Sequence, residues 1–431
     1  MPSLRTIFSV IILFIVLNLF GINPDEFTGD YIDKSYKTNI KSMRMHYPEW
    51  EVSYPVIDLS SDQTLLFSFD DIEGGVKNYY YSVIHCSYDW QPSNLMFMEY
   101  ADGFESNPIN DYDFSLNTFV NFTNYQLELP NQDLQFRYSG NYLLVVYEDD
   151  DINKLVCTKR FMVADYNIPI EANISQSASS LIRQRAQKID LTLLTGSYRI
   201  SNPIDEIKIV IMQNNSWDLV IDDLEPSFIN TDKLVYNHDE GNTFMASNEF
   251  RYFNFRNMRI LSERIQNISY KNPYYYVELF PDENKLFLPY SSVEDINGRF
   301  INKTDRSDAS GYASLESDYA IVKFSLVASD NIPNSSVHIY GEFTNYRLDE
   351  YSKMEYNSET NNFEKYFLLK QGYYNYRYVL KNNDDIKKPD HGFFEGHHWQ
   401  TENDYLIFVY HLDSRAGYNK LVGYKRINSV E

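Results

Sequence analysis

A histidine beside a cysteine, with an aspartate three residues on and a tryptophan closing the run, is the densest grouping of reactive side chains in this 431-residue chain: His85, Cys86, Asp89 and Trp90. A catalytic thiol needs a neighbouring base and an electropositive or helix-terminal setting that favours the thiolate. The surrounding run, YYYSVIHCSYDW, instead alternates like a strand. Successive strand residues point to opposite faces. Cys86 therefore shares a face with Ile84 and Tyr88, and His85 shares one with Val83 and Ser87. The expectation is a buried structural cysteine and no nucleophile. The second cysteine of the chain, Cys157, falls in another predicted strand of the same region. An exported chain could join the two in a disulfide. The spacing permits a Cys86–Cys157 bridge without requiring it.

Metal chemistry is the next candidate. His391, Glu395, His397 and His398 crowd into HGFFEGHHW, but a zinc site needs three or four ligands converging at fixed spacing, and no HExxH pattern accompanies them. Solvated or hydrogen-bonded loop histidines are expected, with no metal. The acidic runs Glu148–Asp151 and Asn383–Asp385 lack the alternating oxygen ligands and the glycine of a calcium loop, and read as turns. No GxSxG, phosphate loop or nucleotide fingerprint is present. The residues do not point to an enzyme, and no cofactor or small-molecule substrate is expected.

The elements that must position these residues are strands. Aromatic residues make up 16% of the chain, with 38 Tyr and 28 Phe, which suits pleated, half-buried surfaces. Short apolar or alternating runs recur between Asn, Asp, Ser, Gly and Pro, and no helix longer than three turns is predicted. A net charge of -23 argues against nucleic acid and against an anionic lipid surface. The fold class expected is all-β, tandem immunoglobulin-like sandwiches after an N-terminal signal sequence. Residues 1–23, with an apolar run from Ile7 to Ile22, read as a signal peptide or an uncleaved anchor. Residues 37–166 read as one sandwich with about seven strands. Residues 167–304 read as a second β domain, 305–318 as a linker, and 319–431 as an immunoglobulin-like third domain.

The order of several phrases is distinctive: TNIKSM, PVIDL, LLFSFDDI, YYSVIHCSYDW, SNLMFMEYADGF, NDYDFSLNTFVNFTNYQLELPN, SGNYLLVVYEDD and NPIDEIKIVIMQNNSWD. Together they resemble the plug-protein family of the type IX secretion system of Bacteroidetes, long labelled a domain of unknown function. The resemblance runs from about Thr38 to Ser429. It implies a periplasmic all-β protein that binds the periplasmic mouth of the outer-membrane translocon barrel and occludes the pore when idle. It leaves the translocon interface unassigned. The stretch SVHIYGEFTNYRLDEYSKMEYNSETNNFEKYFLLKQGYYNYRYVL also resembles immunoglobulin-like modules related to glycogen and starch recognition. Those modules usually carry a tryptophan where this chain has Tyr346, so Tyr346 is the candidate for stacking a sugar ring. A periplasmic or surface glycan-binding protein is accordingly the alternative.

Overall fold

Two runs of continuous apolar sequence, NYLLVVY and YLIFVYH, explain how the molecule is layered. A strand buried on one face alternates apolar and polar residues, whereas a strand buried on both faces reads as an unbroken apolar run. In the computed structural model both runs are strands, Gly140–Glu148 and Asp404–Asp413, and each is buried over eight successive residues. The structure describes residues 27–430 except 197, 239–240, 306–312, 329–331, 333, 385–387 and 414. The apolar N-terminal run and the centre of the expected 305–318 linker lie outside the described residues.

The first sandwich faces two sheets. One orders Lys34–Ser35, Leu155–Ala164, Gly140–Glu148, Tyr79–Cys86 and Asn107–Pro108, with Val56–Asp58 parallel to the 155–164 strand. The other orders Ile40–His46, Leu65–Asp71, Thr123–Leu129 and Asp111–Phe114. Phe67, Phe69, Tyr81, Tyr125, Tyr142, Leu144 and Val146 fill the space between them.

The second sandwich pairs Ile170–Gln176, Ala186–Leu194, Lys233–Tyr236 and Phe228–Ile229 in one sheet. Its facing sheet is Val220–Ile221, Ile207–Gln213, Asp404–Asp413 and Tyr418–Asn428. The C-terminal hairpin thus closes the second sandwich, with Ile207 opposite His411 and Gln213 opposite Tyr405. The third sandwich is inserted between these halves. Arg251–Asn254, Phe300–Asn302 and Ser335–Tyr340 pair with Gly372–Asn382. Against them stand Ile265–Lys271, Tyr274–Leu279, Tyr319–Val327, Asn362–Lys370 and Glu355–Asn357.

The expected division into 167–304 and 319–431 is therefore not the one the sheets follow. Residues near 251–302 belong with the third body, and residues 404–428 return to the second. Periodicity marks a strand without naming its partner, and the 207–213 strand is completed by neighbours almost two hundred residues away.

The first two sandwiches share a layer. Tyr142, Leu144 and Val146 point into the first core, whereas Leu143, Val145 and Tyr147 point outward. Those outward side chains meet Leu406, Phe408 and Tyr410, while Tyr405, Ile407 and Val409 turn into the second core. Four sheets stack as a result, and the two in the middle are buried on both faces. Each Leu, Val or Phe fully enclosed in that seam contributes about 1.5–3 kcal/mol. Tyr410 donates a 2.7 Å hydrogen bond to the Asn141 side chain within it.

Candidate functional site

Cys86 and Cys157 are both free and fully buried, which corrects the possible bridge. Their strands flank the 140–148 strand on opposite sides, with Cys86 opposite Asn141 and Cys157 opposite Val146. Two strand spacings put them about 10 Å apart before that offset is counted, beyond the reach of a disulfide. Cys86 also faces the seam with the second sandwich, whereas Cys157 faces the first core. Burial pushes both thiols well up, the reverse of an activated nucleophile. A thiol reagent should label neither cysteine in the native protein and both after denaturation, and reductant should leave the unfolding midpoint unchanged. Native labelling would contradict this placement.

His85 lies in the first core as its parity demands. Its ring meets Tyr142 edge-on at 5.1 Å and Tyr418 at 5.4 Å, and its nitrogens sit 3.0 Å from the Ser93 hydroxyl and 3.3 Å from the Ser139 carbonyl. The histidine-rich loop is dispersed among separate partners. His391 contacts Asp218 at 2.8 Å, His397 accepts the Ser247 N–H at 2.9 Å, and both Glu395 carboxylate oxygens accept the Arg251 Nε–H at 2.9 and 3.0 Å. Among the described residues no group of three His, Cys, Asp or Glu converges as a metal site. Tyr346 is half-buried. Its ring meets Tyr340 at 5.4 Å, and its Cε1 atom lies over Gly298. The candidate for ring stacking is thus half-buried and in contact with Tyr340.

Sequence reasoning missed the polar seams that tie the three bodies together. Asp404 is fully buried at their meeting point. It accepts the Tyr54 hydroxyl of the first sandwich at 2.6 Å and pairs with Arg299 of the third at 3.2 Å. Within its own sheet it holds Arg426 at 2.8 Å and the Asn428 amide at 3.0 Å. Burial alone would raise its pKa. The Tyr54 and Arg426 hydrogen bonds and the Arg299 charge more than offset this and hold it below the usual carboxylate range.

A second seam joins the first and third sandwiches through Asp70 and Lys370, which are 2.7 Å apart with side chains 0% and 1% exposed. The Tyr319 hydroxyl donates to the same Asp70 oxygen at 2.7 Å, and the Lys370 ammonium lies 4.0 Å from the Phe122 ring centre. Beside it the Asp318 carboxylate accepts the N–H groups of Phe119 and Val120 at 2.7 and 3.0 Å. A third contact links the second and third bodies, where Asp218 accepts the Tyr340 hydroxyl as well as facing His391. The partners lie hundreds of residues apart, so only the generic signal of a charged residue inside an apolar strand, as at Asp70 in FSFDD, could have pointed to them.

Two further carboxyls are buried near the junction of the second and third bodies. Burial pushes Glu249 up to about 7 and Asp295 up to about 6. Each is tied to backbone, Glu249 by the Glu402 N–H at 3.1 Å and Asp295 by the N–H groups of Phe250 and Asn297 at 2.5 and 2.6 Å. Both are thereby fixed as structural acceptors.

The chain is similar to a solved structure described as a hypothetical protein from Parabacteroides merdae ATCC 43184. The two are 33% identical, with 93% of this chain and 100% of that chain covered at a TM-score of 0.88. No curated protein matches. The profile described as "Type 9 secretion system plug protein 1st domain" matches residues 40–165, the stretch that builds most of the first sandwich. Residues 40–165 thus form a first domain of the type 9 secretion system plug protein family, and the chain has a role related to type IX secretion.

Proposed function

We propose that this protein is a non-enzymatic plug that binds the periplasmic mouth of the type IX outer-membrane translocon and occludes its pore when no substrate is passing. The observation that carries the reading is the way its bodies are joined. A shared apolar layer fixes the first sandwich to the second, and buried ion pairs fix the third to both. A large water-filled barrel leaks solutes unless something fills it, and a stopper must keep its shape while bound and leave when substrate engages. Domains strung on linkers move relative to each other by default, unless their interface is large and apolar. Here the first and second bodies meet through such an apolar layer, and the third is held by buried ion pairs and by two chain crossings. A surface of net charge -23 remains well solvated on release. The glycan-binding alternative rests on Tyr346 alone, a single half-buried ring already in contact with Tyr340.

Deleting the gene should raise envelope permeability to a solute too large for ordinary porins, and restoring the gene should reverse this. Affinity purification from solubilised envelope should bring down a very large barrel protein. Unchanged permeability in the deletion strain would sink the plug reading, and retention on polysaccharide without a barrel partner would favour the alternative.

A further inference from the structure

The seam between the first and third sandwiches opens on one side into a cavity of about 270 Å³. One wall is the 34–43 segment of the first sandwich, and the other is the 342–351 segment of the third. Its apolar surface comes from Ile40, Phe300, Phe343, Leu369 and Tyr374. In a chain so acidic overall, four basic side chains stand around this space: Lys34, Lys37, Lys41 and Arg347.

Three of the four are matched. Lys34 pairs with Asp30 at 2.5 Å, Lys37 with Glu148 at 3.5 Å, and Arg347 with Asp349 at 2.7 Å. The remaining acid of the cavity, Glu342, accepts the Phe300 N–H at 3.3 Å. Lys41 has no carboxylate within ion-pair distance among the described residues, and its ammonium lies 5.8 Å from the Tyr351 ring centre. Burial lowers its pKa, as expected for a desolvated and unmatched cation.

The backbone is shaped to produce this. The ladder between Ile40–His46 and Leu65–Asp71 shifts register between Lys41 and Arg44, and Ser42 takes φ +51°. A bulge re-aims the side chains beside it. A non-glycine residue in left-handed backbone costs on the order of 1–3 kcal/mol and persists where its surroundings hold it. The Ser42 hydroxyl is held 2.8 Å from the Tyr319 hydroxyl of the third sandwich.

We propose that this cavity binds a carboxylate carried on a short apolar or aromatic body, with the carboxylate paired to Lys41 and the body resting on Phe343 and Tyr351. One unmatched cation suits a single negative charge, and small-ligand sites favour apolar clefts at domain junctions with a few converging polar groups. The ligand is a chain-terminal carboxylate, an acidic side chain of a peptide, or a free organic acid. This inference does not depend on the plug reading.

Ligand-observed NMR on the exported chain with 3-phenylpropionate and its amide tests it. The acid should bind at least tenfold more tightly than the amide. Lys41→Gln should remove that difference while leaving the unfolding midpoint in place, Lys41→Arg should restore it, and Tyr351→Ala should weaken both compounds. N-acetyl-Leu-Phe with a free terminus and N-acetyl-Glu-Phe-amide then separate the sources. Binding of the first alone assigns a terminal carboxylate, binding of the second an acidic side chain, and binding of neither a free organic acid. No binding of 3-phenylpropionate, equal binding of its amide, or an unaltered preference in K41Q overturns the proposal.

Discussion

Replacing Asp404 by alanine should destabilise the protein by about 3–5 kcal/mol, the usual consequence of removing one partner from a buried charge cluster. The carboxylate is fully enclosed, so its loss leaves the Arg299 guanidinium buried with its charge unmatched and the Tyr54 hydroxyl without an acceptor. Arg299 keeps its bonds to the carbonyls of Ile296 and Val52, but these do not neutralise it. Arg426 is 30% exposed in its side chain and can turn to water, so its share of the loss is the smallest. Because the same carboxylate touches all three bodies, its removal should also change the form of unfolding. Calorimetry should show one main transition for the native chain and a separate lower transition for D404A as the third sandwich loosens. Asp149→Ala is the control: its pair with Lys154 at 2.9 Å has side chains 57% and 47% exposed. Such a surface pair is screened by solvent and contributes little. A double-mutant cycle between Asp404→Ala and Tyr54→Phe should give a coupling of about 0.5–3 kcal/mol, as for residues in one hydrogen-bonded network. A loss below about 1 kcal/mol for D404A would show that the junction is not held at this residue.

What could be read in the sequence was local, and what could not be read was long-range. The alternation YYYSVIHC put Cys86 and His85 on opposite faces, and the structure places them there, one in the seam and the other beside Tyr142. The same alternation could not say that Cys86 and Cys157 lie on opposite faces of a shared sheet. That depends on which strands flank Gly140–Glu148 and on the register of each. The unbroken apolar runs at 142–147 and 405–410 announced burial on both faces, but a sheet buried twice can be covered by a helix, a sheet or another chain. Here the two runs cover each other. The insertion of the third sandwich was hidden for a related reason. The 251–254 strand carries the same aromatic pattern as its neighbours, and only its pairing with residues 373–376 assigns it to another body. For Tyr346 the resemblance gave a position without its surroundings, and the contact with Tyr340 became visible only in the fold. The polar seams escaped because Asp70, Asp218 and Asp404 look like ordinary acids in an acidic chain until their distant partners are placed beside them.

Acid should unfold this protein through its histidines well before its carboxylates are titrated. Burial pushes His46, His85, His338 and His397 down to about 4 in the folded chain. In the unfolded chain each returns to about 6.5 and takes up a proton between those limits. The unfolded state therefore binds more protons from about pH 6.5 to about pH 4, and stability must fall as pH falls through that window. Each such histidine contributes up to about 3 kcal/mol over the full span. Glu249 and Asp295 act in the opposite sense, since their folded values of about 7 and about 6 favour the folded state as pH drops. Four groups against two leave a net uptake of about two protons on unfolding near pH 5, a slope of roughly 3 kcal/mol per pH unit. The accumulated loss between pH 7 and pH 5 is about 4 kcal/mol. Carboxylates held low in the fold, such as Asp404 and Asp71, contribute stability that disappears only as pH drops below their ordinary range. Urea unfolding at half-unit intervals from pH 7.5 to 5 measures the slope directly. His85→Gln removes one of the four, at a site 1% exposed, and should cut the net uptake from about two protons to about one. A stability that is flat or rises from pH 7 to pH 5 would mean that these rings are not enclosed as the fold places them.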